Sequence, residues 1–272
     1  FGIASTIMLP ATFCAGMTLP LITNILFRKG NGEKSVGAVY AANTIGAIIG
    51  IFSAVHLIMP SIGLKGLLVT GAALDMTLAV IIVACAADPR TRRLTLVFAG
   101  TCTTAIIIVI MTVHLDPYKM ASGVYRSGSG LMRKGQDTTL LFHKDGKTAT
   151  VSVVKSISGL TGIRTNGKSD SSLNLNPDSP DIGDEPTTTL LGALPLLYYP
   201  DARSVAIIGL GTGLTTQTVL TNPNVQHVDT IEIEKFVIEG ARNFQSRTEM
   251  VYSDPRSRIL IDDAKSFFQV ME

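Results

Sequence analysis

The sequence is poor in charged residues, which make up 16% of its 272 residues, whereas 46% are hydrophobic and the mean hydropathy is +0.36. This composition is too apolar for an ordinary soluble enzyme and indicates a membrane portion. The net charge is only +2, so we expect no nucleic acid or other general polyanion as a partner. The length fits about two domains.

Cysteines are also scarce. Cys14, Cys85 and Cys102 all lie in apolar stretches, and their spacing fits neither a metal site nor a disulfide. We interpret them as small buried residues and expect no metal. The chain begins at Phe1 inside an apolar run and stops at Glu272 inside a helix-like pattern, so we expect it to be part of a longer protein.

Charge is nearly absent from four long apolar runs, each close to the ~20 residues that span a bilayer. We predict a transmembrane α-helical region over residues 1–115, built from the runs Phe1–Phe27, Val36–Met59, Leu67–Ala87 and Leu94–Leu115. Asp75 is the one acid inside these runs, and His56 could pair with it. Such a pair could line a proton or amine pathway or make a structural polar contact.

A polar segment over residues 116–195 is predicted to hold a linker and a small β module. Strand-like runs flank Asp145-Gly146, a strong hairpin signal, and a second turn is predicted at Asn166-Gly167. The range 174–183 is typical of a loop, and Thr187–Leu197 of a helix.

The range 196–272 has the order strand, glycine turn, helix, strand and acid that is typical of a Rossmann-like nucleoside-binding domain. A strand over 205–208 runs into Gly209, Gly211 and Gly213, and the next strand carries Glu232. A carboxylate at that strand end can accept both ribose hydroxyls. The G-x-G-x-G run suits a donor of the S-adenosylmethionine type, which has no pyrophosphate.

A further apolar strand, 259–261, ends in Asp262 and Asp263, and a helix is predicted to begin near Ala264. Carboxylates at the carboxyl ends of strands lie where α/β sheets bind ligands. One of the two acids is expected to be a helix N-cap, and the other could accept the adenine amino group.

These motifs, taken together, resemble the spermidine synthase (polyamine aminopropyltransferase) family, in the bacterial form fused to a multi-helix membrane region. The matching segments are Asp184-Glu185, 191–197, 208–213, 231–234, Asp254-Pro255-Arg256 and Asp263-Ala264, with similar text near Met17 and over 39–47.

The resemblance implies decarboxylated S-adenosylmethionine as co-substrate and a small amine as acceptor. Glu232 would hold the ribose and Asp263 with Ala264 the adenine, while the turn from Gly209 to Gly213 would lie against the nucleoside. The family's general-base aspartate would follow Glu272, so we assign no catalytic residue within the chain.

Three departures concern the amine side of the site. Thr212 replaces an acid inside the glycine run, Thr188 and Thr189 replace an aromatic and polar pair, and Asp170 replaces a glutamine. Asp170, Asp184 and Glu185 remain the substrate-side candidates. An S-adenosylmethionine-dependent methyltransferase, or a non-catalytic nucleoside- or polyamine-binding domain on a transporter-like membrane part, therefore stays open.

The resemblance also implies a multi-pass protein of the bacterial inner membrane, with the lipid bilayer and a second copy of the chain as candidate partners. Basic residues cluster in the ranges 28–34 and 88–93, which the positive-inside rule places in the cytoplasm. Four complete spans would then put the soluble part outside. Because the nucleoside donor is cytosolic, we expect a cytoplasmic soluble part and a first run that does not cross fully.

Overall fold

The fold is described from a computed structural model, which covers residues 2–86, 92–124, 131–132, 138–176 and 178–270. The chain divides into two compact units, residues 1–58 and 59–272. The first unit contains helices α1 (Gly2–Leu26) and α2 (Lys34–Ser53), each followed by a π-helical turn, Phe27–Asn31 and Ala54–Ile58. None of the α1 side chains is buried, although most are apolar.

The second unit begins with three helices: α3 (Met59–Ala86), α4 (Arg92–Thr112) and the short α5 (Pro117–Ala121). Gly63 interrupts α3 with a non-helical backbone, φ 68° and ψ −175°. The Lys65 ammonium donates to the carbonyl of Ile110, 2.8 Å away, and so ties the start of the continuing helix to the last turn of α4.

Among the described residues, three helical stretches are long and apolar enough to cross a membrane: Gly2–Gly30, Lys34–Cys85 and Arg93–Thr112. The second stretch joins two of the four predicted runs, with the break at Gly63 between them. Residues 87–91, which hold part of the predicted basic segment 88–93, lie outside the described residues. Cys14 and Cys85 are exposed rather than buried as predicted, because they lie on apolar helix surfaces that the described residues leave uncovered.

A four-stranded antiparallel sheet follows, in the order β1-β2-β3-β4. The strands are β1 (Thr138–Asp145), β2 (Thr150–Ser156), β3 (Leu160–Thr165) and β4 (Lys168–Asn174). Asp145 pairs with Thr150 across the first turn, which confirms the predicted hairpin. The second predicted turn is also confirmed, since Asn166 and Gly167 both have positive φ between β3 and β4.

The remaining elements form an α/β layer with a parallel sheet in the order β5-β6-β7. In chain order they are α6 (Glu185–Tyr198), β5 (Ser204–Ile208), α7 (Leu214–Leu220), β6 (His227–Glu232), α8 (Lys235–Ala241), a 3₁₀ turn (Arg242–Phe244), α9 (Met250–Ser253), β7 (Ser257–Ile261) and α10 (Ala264–Val270). The predicted order of strand, glycine turn, helix and strand is confirmed by β5, α7 and β6.

One hydrophobic core joins the antiparallel sheet to the α/β layer. Val153 and Ile163 of the sheet pack with Val237 of α8 and with Phe244, and all four are at most 5% exposed. Burial of such side chains stabilises the unit by roughly 1.5–3 kcal/mol each. The predicted domain boundary at residue 195 falls inside α6, which packs on α7; the three-domain division stays a prediction.

The Asp-Pro-Arg segment before β7 closes the end of α7. The Arg256 guanidinium donates to the carbonyls of Leu220, Asn222 and Val225 at 2.5, 3.1 and 2.9 Å. It also pairs with Asp254 at 2.7 Å, and its hydrogen bond holds the pKa of that carboxyl below the usual value. The Leu220 carbonyl is one that the end of α7 leaves unpaired, and the other two carbonyls belong to the loop that follows, so the segment has a structural role.

Candidate functional site

The glycine turn connects β5 to α7 and forms one wall of the site. Gly209 and Gly211 have φ of +86° and +55°, a region that side chains other than glycine rarely adopt. A side chain at Gly209 would meet nothing within 4 Å, so the backbone angle and not space requires glycine there. Gly213 precedes α7 and also has positive φ. The turn therefore exposes main chain at the carboxyl end of β5.

Glu232 ends β6 beside this turn and is only 7% exposed. Its Oε2 accepts the backbone N–H of Leu210 at 2.9 Å, and its Oε1 accepts that of Glu234 at 3.0 Å. An ionised carboxylate has about four acceptor positions, so each oxygen keeps capacity for one more donor. The two vicinal hydroxyls of a ribose fit that remaining capacity.

A large cleft of about 1210 Å³ lies against the glycine turn and Glu232. This exceeds the roughly 300–1,000 Å³ of most small-molecule sites, so it has room for a nucleoside and an attached chain. All of β5 lines it, together with Tyr198 and Tyr199 at the end of α6. Of the predicted nucleoside-binding residues, the cleft brings together Gly209, Gly211, Thr212 and Glu232.

The antiparallel sheet lines another part of the cleft, with residues of β3 and β4 next to the glycine turn. Thr212 is 1% exposed, and its hydroxyl lies 3.1 Å from that of Ser171. Asp170 is the substrate-side candidate that lines the cleft; its carboxylate accepts the Thr165 hydroxyl and lies 3.4 Å from the Lys168 ammonium. This part of the cleft therefore offers the Asp170 carboxylate, partly neutralised by Lys168, beside the buried hydroxyls of Ser171 and Thr212.

Asp184 and Glu185 do not line the cleft, as far as the described residues define it. Asp184 Oδ2 accepts the Ser172 hydroxyl at 2.6 Å. Glu185 Oε1 accepts the Asn174 N–H at 2.9 Å and pairs with Arg247 at 2.8 Å. The structure uses both acids to fasten the start of α6, and their predicted substrate role stays a prediction.

Asp263 and Ala264 lie at the carboxyl end of β7, outside the residues that line the cleft within the described chain. Asp263 Oδ1 accepts the Lys265 N–H at 3.0 Å, so Asp263 is the N-cap of α10. From the sequence, either Asp262 or Asp263 could have had this role. The Asp262 N–H donates to the carbonyl of Glu232 at 3.2 Å, so this strand end adjoins the ribose candidate. The predicted adenine contact stays a prediction.

The remaining predicted polar residues lie elsewhere. His56 belongs to the first unit, where its ring centroid lies 4.8 Å from that of Phe52, while Asp75 belongs to the second. Their predicted pairing stays a prediction. The described residues include no group of three His, Cys, Asp or Glu side chains that could hold a metal. Sequence reasoning did not single out Ser171 or Thr165, which bear no motif and reach the cleft through the pairing of β3 with β4.

Comparison with known proteins identifies the α/β layer. A family model described as "Spermine/spermidine synthase domain" matches residues 185–272. Residues 185–272 are therefore similar to the domains of this family. The predicted resemblance is confirmed for these residues; the match does not extend to the apolar helices, and their likeness to a membrane-fused bacterial form stays a prediction.

Two kinds of curated relative are similar to the chain. Putrescine N-methyltransferase 3 of Nicotiana tabacum is 31% identical over 90 residues, which cover 33% of this chain and 24% of the relative. Polyamine aminopropyltransferase of Thermotoga maritima is 32% identical over 78 residues, which cover 29% of this chain and 26% of the relative. The chain thus spans about a quarter of the length of the curated relatives it matches.

Solved structures give a weaker likeness. A spermidine synthase in complex with the transition-state analogue AdoDATO, and a spermidine synthase from Thermotoga maritima, each have a TM-score of 0.42 and 21% sequence identity. In both cases the match covers 48% of this chain and 43% of the other.

Proposed function

We propose that the protein is a membrane-anchored, spermidine synthase-like transferase that moves an aminopropyl group from decarboxylated S-adenosylmethionine to a small amine. The observation that carries the proposal is Glu232, a buried carboxylate held by two backbone N–H groups at the edge of a large cleft beside the glycine turn. The family match over residues 185–272 and the polyamine aminopropyltransferase relatives support it.

In the proposed reaction the acceptor nitrogen attacks the carbon next to the sulfonium sulfur. A carbon–nitrogen bond forms, the carbon–sulfur bond breaks with its electron pair moving to sulfur, and the nitrogen loses one proton. The chain's own contribution is alignment: Glu232 fixes the ribose and the glycine turn fixes the nucleoside, so that the reacting carbon faces the acceptor. Such positioning can lower a barrier by several kcal/mol.

A methyl transfer is the second candidate, and a specific feature favours it. The position next to Gly211 is Thr212, a neutral residue whose hydroxyl lies 3.1 Å from that of Ser171, so the glycine turn itself places no carboxylate against the one that S-adenosylmethionine carries. The putrescine N-methyltransferase relatives support the same alternative. Putrescine is therefore the first acceptor to test in either reaction.

The proposed location is a bacterial inner membrane, with the soluble part on the cytoplasmic side where sulfonium nucleosides are made. Three helical stretches of suitable length and hydropathy support anchoring in lipid. Recovery of the full-length protein in the membrane fraction after an alkaline wash is the expected result, and recovery in the supernatant would contradict it.

The function is tested by offering the full-length protein putrescine with decarboxylated S-adenosylmethionine or with S-adenosylmethionine and identifying the product by mass. Spermidine supports aminopropyl transfer, and N-methylputrescine supports the methyltransferase. Binding of either donor by calorimetry without any product would instead favour a non-catalytic nucleoside-binding domain. Absence of both binding and product would refute the proposal.

A further inference from the structure

Glu234 is a buried acid that the proposed chemistry does not use. It is 4% exposed, it follows the ribose candidate by two residues, and it is not among the described residues that line the cleft. Leaving a carboxylate this deeply buried is costly unless hydrogen bonds compensate. Its partners therefore indicate what it stabilises.

The two carboxylate oxygens of Glu234 face different parts of the fold. Oε1 accepts the Phe236 N–H at 3.2 Å and so caps α8. Oε2 accepts the Thr148 N–H at 2.8 Å, the Thr148 hydroxyl at 2.7 Å and the Ala149 N–H at 3.4 Å. One acid thus joins the start of α8 to the turn of the first β hairpin.

The backbone of Glu234 contacts the ribose candidate directly. Its N–H donates to Glu232 Oε1 at 3.0 Å, while Leu210 donates to the other oxygen. The Glu232 carboxylate is therefore oriented from two sides, and one of these donors belongs to a residue whose own side chain is fastened to the hairpin turn.

We propose that Glu234 is a positioning residue: by holding the hairpin turn 146–149 against the start of α8, it fixes the N–H that orients Glu232 for the ribose. The inference rests on the proposed nucleoside site. Gly146 agrees with it, because a side chain at that position would collide with the Glu234 carboxylate. The turn therefore leaves room for this carboxylate.

Glu234→Asp separates the two duties of the side chain. Aspartate is a good N-cap and keeps the bond to Phe236, but it is one methylene shorter and loses the reach to Thr148. We expect the affinity for methylthioadenosine, the thioether left by aminopropyl transfer, to fall about tenfold, equivalent to about 1.4 kcal/mol. Gly146→Ala, which displaces the carboxylate from the hairpin side, should weaken binding in the same direction.

Glu239→Gln is the matched control, because Glu239 also ties α8 to the first hairpin, through Lys144 at 2.7 Å. It has no bond to Glu232, so we expect unchanged affinity. A double-mutant cycle tests the route: if Glu234 acts through Glu232, the variant Glu232→Gln/Glu234→Asp binds no more weakly than Glu232→Gln alone. Additive losses would contradict the route.

The experiment uses the full chain in detergent and adds hydrogen–deuterium exchange of a peptide that contains Leu210, whose N–H is bonded to Glu232. Faster exchange there in Glu234→Asp, but not in Glu239→Gln, is expected whether or not the ligand binds. Unchanged exchange in Glu234→Asp would overturn the inference. Failure of the wild-type chain to bind any adenosine compound would refute the proposed function instead, and the exchange result would still decide the role of Glu234.

Discussion

Replacing Glu232 by glutamine tests the ribose assignment with little change in shape. In the wild type each carboxylate oxygen accepts one backbone N–H. Glutamine keeps one acceptor oxygen and turns an NH₂ group toward the other N–H, so one buried hydrogen bond is lost and the negative charge disappears. Both changes weaken acceptance of the ribose hydroxyls.

The magnitude follows from the bonds involved. A hydrogen bond to a charged group contributes about 1.5–3 kcal/mol. Both ribose hydroxyls would donate to the same charged carboxylate, so both hydrogen bonds weaken in Glu232→Gln. We therefore expect a loss of about 3 kcal/mol of binding free energy, or roughly a hundredfold rise in Kd. Isothermal titration calorimetry with methylthioadenosine measures it.

Two comparisons make the result specific to the ribose. Asp229→Asn, on the same strand but in an ion pair with Arg258 at 3.5 Å, should leave the affinity unchanged. Removing the 2′-hydroxyl from the ligand should weaken its binding to the wild type. The same removal should cost less affinity in Glu232→Gln than in the wild type, because the partner of that hydroxyl is already impaired. A folded Glu232→Gln variant that binds methylthioadenosine as tightly as the wild type would refute the assignment.

Three further variants test the fold around the site. Tyr252→Phe removes a buried hydroxyl that finds no partner among the described residues, so we expect about 1 kcal/mol of added stability in urea unfolding. Burial raises the pKa of Tyr252 from 10 to about 12, so the tyrosine of the unfolded chain ionises first and wild-type stability should fall between pH 10 and 12. Tyr252→Phe should lose this pH dependence, and an equal loss of stability in both proteins would contradict the burial argument. The ammonium of Arg256→Lys cannot reach all three carbonyls of α7 and the loop after it, so the variant should lose about 2 kcal/mol of stability; an unchanged melting temperature would argue against this role of Arg256. Asp145→Ala removes the carboxylate that accepts the Leu64 N–H at 3.1 Å just after the break in α3, so hydrogen exchange at residues 64–67 should accelerate, and equal protection in both proteins would show that the contact does not hold the helix start.

The predictions that succeeded depend on short-range signals. Asn166-Gly167 specifies its turn through positive φ angles, which few residues adopt, and the structure forms it. Asp145-Gly146 is a turn-forming pair, and the structure places it at the turn between β1 and β2. The glycine turn after β5 and the position of Glu232 at the end of β6 were predicted in the same way, because the strand, turn and acid lie within about 30 residues, the length of a βαβ unit. Local chemistry was sufficient to predict these elements.

The features that could not be predicted from the sequence depend on contacts between segments that are distant along the chain. The ion pair of Glu185 with Arg247 is one such contact, because nothing in the local sequence indicates that partner. Which of Asp262 and Asp263 caps α10 depends on the backbone geometry at the end of β7. The sequence did not indicate the contacts of Glu234, since its partner Thr148 lies on a hairpin that no motif connects to this strand.

A structure of the full-length protein with methylthioadenosine bound tests the central claim most directly. The account predicts that both ribose hydroxyls lie within hydrogen-bonding distance of the Glu232 carboxylate, with the nucleoside against the turn from Gly209 to Gly213. A ligand bound elsewhere, or one whose ribose contacts other side chains while Glu232 keeps only its two backbone partners, would contradict it.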